Sequence, residues 1–194
     1  TINAISCDLN GKLYDYHNGI NDLKLGKIKF IGDTEKRIKE DYLRLLRYFR
    51  FYAYYGKKDL NKKDLLITSR FSKFLKKLSK ERISSEFKKI LSCPTCSKTL
   101  GIMNNKNILN KIFYGNINLY LIKKLENTDW IKSFQNFYNK LVILLLDNKF
   151  FKKNIKLLKL SNSENKYLEK IFFYKKKFIF SNKKEDILKL VYVH

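Results

Sequence analysis

Apolar and polar residues alternate from Ala4 to Leu9, Asn10-Gly11 follows, and a second short stretch runs from Lys12 to Asp15. Alternation turns one face of a strand to a core, and Asn-Gly accepts the positive φ angles of a two-residue hairpin turn, so two short antiparallel strands are predicted. A turn or short helix around Asn18 to Lys24 and a third strand near Ile28 to Ile31 complete this opening region. The period then changes. From Thr34 to Tyr55 the apolar residues Ile38, Tyr42, Leu45, Leu46, Phe49, Tyr52 and Ala53 fall within an arc of roughly 120° at helical spacing, which predicts one amphipathic helix capped by Asp33. Further helices are predicted at about 63–78, at 79–91 with Ser79 as cap, at 107–113, at 130–146, at 162–175 behind a Ser161/Glu164 capping box, and at 184–191. The expected fold class is α+β, mainly α-helical.

Composition sharpens this picture. With 7 Gly and 1 Pro in 194 residues the chain lacks the punctuation of sandwiches and barrels, and its 44% hydrophobic content is that of a chain with a core. The longest aliphatic run, Leu141 to Leu146, falls far short of the roughly 18 apolar residues that span a bilayer, so no membrane partner is expected. Three cysteines do not make a disulfide framework, and a reducing compartment, the cytoplasm, is the expectation. Cys93-Pro94-Thr95-Cys96 offers two of the four ligands that a structural zinc site needs, and Cys7, His17 and His194 have no matching spacing. Residue 1 is Thr and not an initiator Met, and the chain is expected to be a piece of a longer protein.

The net charge is +24. An excess of this size attracts polyanions, among which nucleic acid leads, although heavy Lys, Asn and Ile usage also fits an A+T-rich codon bias. Two segments concentrate the charge: residues 57–100 carry 13 basic and 4 acidic side chains, and residues 150–178 carry 9 and 2. Both also contain Phe and Tyr, which stack on unpaired bases or fill a core.

The polar face of the Thr34–Tyr55 helix carries Glu40, Asp41, Arg44, Arg47 and Arg50, the last four at intervals of three. Glu40 and Arg44 are i, i+4 neighbours, and steps of three trace a slanted ridge that could address several parts of one ligand. A solvated, salt-bridged helix face fits the same pattern.

Glu40-Asp41-Tyr42-Leu43-Arg44-Leu45-Leu46-Arg47-Tyr48-Phe49-Arg50-Phe51 resembles the signature helix of the bacterial class II tRNA nucleotidyltransferase and poly(A) polymerase family. Three other stretches agree with that family in order: Thr1-Ile2-Asn3-Ala4, the set Asp15, Gly19, Asp22 and Leu23, and Glu81-Arg82-Ile83 with Glu86. Together they reach from residue 1 to about 91. The resemblance implies a division into the last part of a catalytic head (1–32), neck helices (33–100) and a helical, RNA-binding body and tail (101–194). It also implies addition of C and A from CTP and ATP to the 3′ end of tRNA without a template, as part of a larger enzyme. Asp41 and Arg44 then read the incoming base, Glu40 holds Arg44, and Arg47, Arg50 and Asn3 contact the nucleotide. Asp15, Gly19 and Asp22 belong to a hinge. A carboxylate and an arginine suit this task, because cytosine and adenine both present an exocyclic amine where uracil and guanine present a carbonyl.

The family holds Mg²⁺ on an Asp-x-Asp motif, and none occurs in this sequence. Mg²⁺ is therefore expected on a head segment outside this chain, encoded upstream or separately, and the chain alone is expected to be inactive. A poly(A) polymerase or A-adding relative is the alternative within the family. A catalytically inactive RNA-binding fragment is the alternative outside it.

Overall fold

The computed structural model describes residues 4–126, 136–146 and 148–178. They form two compact units divided after Ile112. The first opens with the expected hairpin: β1 (Ile5–Cys7) pairs antiparallel with β2 (Leu13–Asp15), Ser6 opposite Tyr14. Its turn is closed by the Asp8 carboxylate, which accepts from Asn10 N (3.0 Å) and Lys12 N (2.9 Å), with Gly11 at φ +82°. The short helix α1 (Gly19–Leu25) follows and ends at Gly26 in the left-handed region. A Cβ on Gly26 would lie 2.6 Å from Lys57, whose amide donates to the Gly26 carbonyl. Only glycine satisfies both the backbone and this close approach.

Two expectations need correction. Residues 28–31 form no third strand, and the sheet has two strands among the described residues. Ile28 is buried, and Phe30 stacks on Tyr48 at 4.7 Å, so this segment spends its apolar side chains on packing without entering a ladder. The single helix expected over 34–55 is two, α2 (Thr34–Glu40) and α3 (Leu43–Tyr55). Asp41 breaks it: its backbone is extended (φ −154°, ψ 109°), and its carboxylate accepts from Leu43 N at 3.0 Å. A short acidic side chain competes with the helix for backbone donors in this way. The apolar period survives because Ile38 on one helix and Leu45, Leu46, Phe49 and Tyr52 on the other are all buried.

The expected 63–78 helix is α4 (Lys62–Phe71), capped by Asn61, followed by a 3₁₀ segment (Ser72–Lys77). The next, α5 (Lys80–Ser92), begins at Ser79, whose hydroxyl accepts from Arg82 N. Then comes α6 (Ser97–Asn105), which the hydrophobic pattern did not predict, and only a 3₁₀ turn at Leu109–Lys111 where a helix was expected. The core of this unit lies where α3 packs along α5 and α6, around Phe49, Phe87, Ile90, Leu100 and Met103.

The second unit contains α7 (Leu119–Glu126), α8 (Phe137–Leu144), α9 (Phe151–Leu157) and α10 (Asn162–Phe178). Asn136 caps α8. The capping box at α10 is reciprocal: Ser161 N donates to the Glu164 carboxylate (2.8 Å) and Glu164 N to the Ser161 hydroxyl (3.2 Å). Both α7 and α10 pack on α8, with Ile122, Leu141, Leu144, Ile155 and Leu168 buried. The expected helix at 184–191 and the first part of that at 130–146 lie outside the described residues. No described helix is long and apolar enough to cross a membrane.

Candidate functional site

In the first unit a cleft of about 490 Å³ opens beside α3. Arg44, Arg47 and Arg50 line it, because a spacing of three on a helix keeps successive side chains on one slanted ridge. Arg37, Lys29 and Lys89 add charge, and Phe30, Tyr48, Phe51 and Tyr54 supply ring surface. The carboxylates that hold these cations stand outside the lining. Glu40 pairs with both Arg44 and Arg37, the latter at 2.7 Å. Hydrogen bonds from Arg44 first, then Arg37, hold the Glu40 carboxyl below the usual carboxylate range.

Glu86 does the same work for the other end of the ridge. Its side chain is 5% exposed, and it binds Arg50 at 3.0 Å and Arg47 at 3.8 Å. Arg50 also stacks on Phe51, 4.6 Å from the ring centroid. A guanidinium carries five donors and its carboxylate partner uses one or two, so an anchored arginine still presents donors to a ligand, now in a defined direction. Tyr54 donates to the Lys89 carbonyl, and burial pushes the Tyr48 hydroxyl well above its ordinary value. Fixed guanidinium groups beside aromatic rings, with no acidic side chain in the lining, suit a planar, anionic ligand.

Asp41 is placed differently from the three arginines. It does not line the cleft; one oxygen caps α3 and the other accepts from Arg82 of α5 at 2.8 Å. Asp15 accepts from Gly19 N (2.6 Å) and Ile20 N (2.9 Å), and these amides, Ile20 first, hold its carboxyl below the usual range. Gly19 packs so closely that a Cβ would meet Ala4 at 2.8 Å, and the buried Asp22 pairs with Lys29 at 2.6 Å. Asn3 lies outside the described residues. Cys93 and Cys96 are buried thiols, and Cys93 donates to the Ala53 carbonyl. Among the described residues no three His, Cys, Asp or Glu side chains cluster so as to hold a metal ion.

Sequence reasoning named the arginines and Asp41 but missed Glu86 as the partner of Arg47 and Arg50, Arg82 as that of Asp41, and Arg37, Lys29 and Lys89 as co-lining cations. The signal for Arg37 was local, three residues before Glu40. For Glu86 it was a charged residue on the apolar face of α5, beside Phe87 and Ile90.

Residues 69–115 match a family model described as the probable RNA and SrmB-binding site of polymerase A. The human mitochondrial CCA tRNA nucleotidyltransferase 1 is 46% identical over 93 residues, which is 47% of this chain and 21% of the human protein. The CCA-adding enzyme of Lactobacillus helveticus is 43% identical over 90 residues, 46% of this chain and 22% of that enzyme. The chain thus spans about a fifth of the length of these curated relatives. A solved structure titled "tRNA-processing enzyme (apo form 2)" shares the fold, with a TM-score of 0.72 at 20% identity, over 98% of this chain and 60% of its own. The resemblance to the CCA-adding enzymes is supported, over about half of the chain.

Proposed function

We propose that this chain is the nucleotide-selecting and RNA-binding part of a CCA-adding tRNA nucleotidyltransferase. The observation that carries the reading is the convergence of Arg44, Arg47 and Arg50 on one aromatic-walled cleft, each held from behind by Glu40 or Glu86. The names of the similar proteins support CCA addition as the reaction of the whole enzyme. CTP or ATP is the ligand assigned to the cleft, with Arg47 and Arg50 toward its anionic parts and Arg44 toward the acceptor edge of the base. Asp41 is assigned the exocyclic amine. Each carboxylate oxygen has two lone pairs, so Asp41 can accept that amine while still bound to Arg82 and Leu43 N. Residues 15–23 are assigned as the hinge, its carboxylates fixed by Ile20, Gly19 and Lys29.

The resemblance to the family assigns the Mg²⁺ ligands to a head outside this chain, where the metal would supply activation of the attacking hydroxyl. The chain alone is expected to bind tRNA without extending it. Two buried cysteine thiols support a reducing compartment such as the cytoplasm.

The test is to incubate the chain, with and without a separately expressed head, with tRNA lacking its CCA end and labelled CTP or ATP. Incorporation of C and then A only with the head supports the reading. Incorporation of A alone points to an A-adding or poly(A) polymerase relative, and none with any head to an RNA-binding chain without activity. In the restored enzyme Asp41→Ala is expected to raise UTP use relative to CTP, because it removes the acceptor that distinguishes an amine from a carbonyl; an unchanged CTP:UTP ratio would take Asp41 out of base reading.

A further inference from the structure

In the second unit two large aromatic side chains stand half in solvent, Tyr114 at 44% and Phe150 at 47% exposure, with ring centroids 6.2 Å apart. The backbone beneath them is unusually well held. Asn148, 5% exposed, donates to the carbonyls of Tyr114 (2.7 Å) and Asn116 (2.6 Å) and accepts from Phe150 N (2.8 Å). Asn154, fully buried, accepts from Tyr114 N (2.8 Å) and donates to its carbonyl (3.0 Å). Gly115 between them is left-handed, and a Cβ there would press on Phe150 at 3.0 Å. Burying two amide side chains solely to fix a short loop carries a desolvation cost, offset here by five hydrogen bonds. The result is a firmly held backbone beneath two exposed rings whose planes are tilted by 52°.

The surroundings are cationic. Lys153 Nζ lies 4.0 Å from the Tyr114 centroid, Lys149, Lys152 and Lys156 are exposed nearby in the chain, and no acidic residue occurs between 148 and 163. A docking surface for an apolar protein partner would not gain from such charge, whereas a single-stranded nucleic acid supplies both a base to stack and phosphates to pair. We propose that Tyr114 and Phe150 form a stacking platform for unpaired bases of an RNA strand, with the lysines around Lys153 holding its phosphates. The proposal rests on RNA as partner and needs no nucleotide addition.

The full chain is titrated with a fluorescent single-stranded oligoadenylate of about 12 nucleotides, and with an abasic strand of equal length, which keeps the phosphates and lacks the bases. The unaltered chain should bind oligoadenylate more tightly. Tyr114→Ala and Phe150→Ala should each weaken oligoadenylate by about 5- to 100-fold, the worth of one base–aromatic stack, leave the abasic strand unchanged and leave the salt slope unchanged. Tyr114→Phe and Phe150→Tyr should retain affinity. Photocrosslinking of 5-iodouridine RNA to the unaltered chain, which does not depend on any variant folding, should label Tyr114 or Phe150. Equal binding of both strands by the unaltered chain, equal weakening of both by the alanine variants, or crosslinks confined to other residues would overturn the platform. Failure here leaves C and A incorporation untouched, and loss of incorporation leaves these affinities untouched, so the two readings fail separately.

Discussion

The two units carry positive charge in different ways. All six arginines fall within residues 1–112, and residues 113–194 rely on lysine. In the first unit guanidinium groups are tied to carboxylates: Arg44 and Arg37 to Glu40, Arg50 and Arg47 to Glu86, Arg82 to Asp41. In the second, buried asparagines orient the backbone, and lysines surround the surface they shape. A planar fork held from behind is directional, while a flexible ammonium acts as a point charge. The difference bears on where selectivity would reside under the proposed function: directional donors in the first unit suit the choice of a ligand, and non-directional charge in the second suits a polyanion of any sequence.

The largest expected effect tests the neutral scaffold. Asn148→Ala leaves Phe150 N and the Asn116 carbonyl without their partner and removes one of two from the Tyr114 carbonyl, which should cost about 2–4 kcal/mol. Native-state hydrogen exchange should show protection falling first at amides within 113–178. Unchanged protection would mean that the loop is held by something other than its amide clamp.

Next comes the charged scaffold. Glu86→Ala removes the buried carboxylate shared by Arg50 and Arg47. A stability loss of about 1–3 kcal/mol is expected, below that of a fully enclosed pair because both arginines reach solvent. Weaker CTP and ATP binding should accompany it, whereas affinity for the abasic strand should hold. Equal loss of both would erase the contrast between the units.

Arg44→Lys keeps the charge and removes the fork. Nucleotide affinity, read by calorimetry, should fall by roughly tenfold, the scale of one bidentate contact. The melting temperature should barely move, since a solvent-exposed pair such as that with Glu40 adds little to stability.

The smallest effect is one of pH. The amides of Ile20 and Gly19 hold Asp15 below its ordinary value of 3.8. A depressed carboxyl stabilises the fold above its unfolded pKa, and that contribution is lost as pH falls through the folded one. Thermal melts of the native chain and of Asp15→Asn should therefore differ at pH 6 and converge as pH drops below about 4. A constant difference down to pH 2 would show that Asp15 acts through its shape and not its charge.

Which features were readable along the chain follows from their range. The hairpin at Asn10-Gly11, the Ser79 cap and the Ser161/Glu164 box are closed by atoms within four residues, so their hydrogen bonds are written in local order. The apolar period from Ile38 to Tyr52 foretold the buried face, and the spacing of Arg44, Arg47 and Arg50 their shared ridge. Periodicity could not foretell the break at Asp41, because an acidic residue on a polar face looks the same whether it continues a helix or ends it. Its extended backbone sits beside a bond to Arg82, 41 positions away. Glu86 reaches Arg50 across 36 positions, and Asn154 reaches Tyr114 across 40. Such partners are chosen by which helices pack together, α3 along α5 in one unit and the Tyr114 loop over α9 in the other. The sequence by itself determined the hairpin, the buried face from Ile38 to Tyr52, the Ser79 and Ser161/Glu164 caps and the presence of a cationic ridge; only tertiary packing decided which carboxylates aim that ridge and which asparagines hold two rings in the open, because those bonds join residues that nothing local brings together.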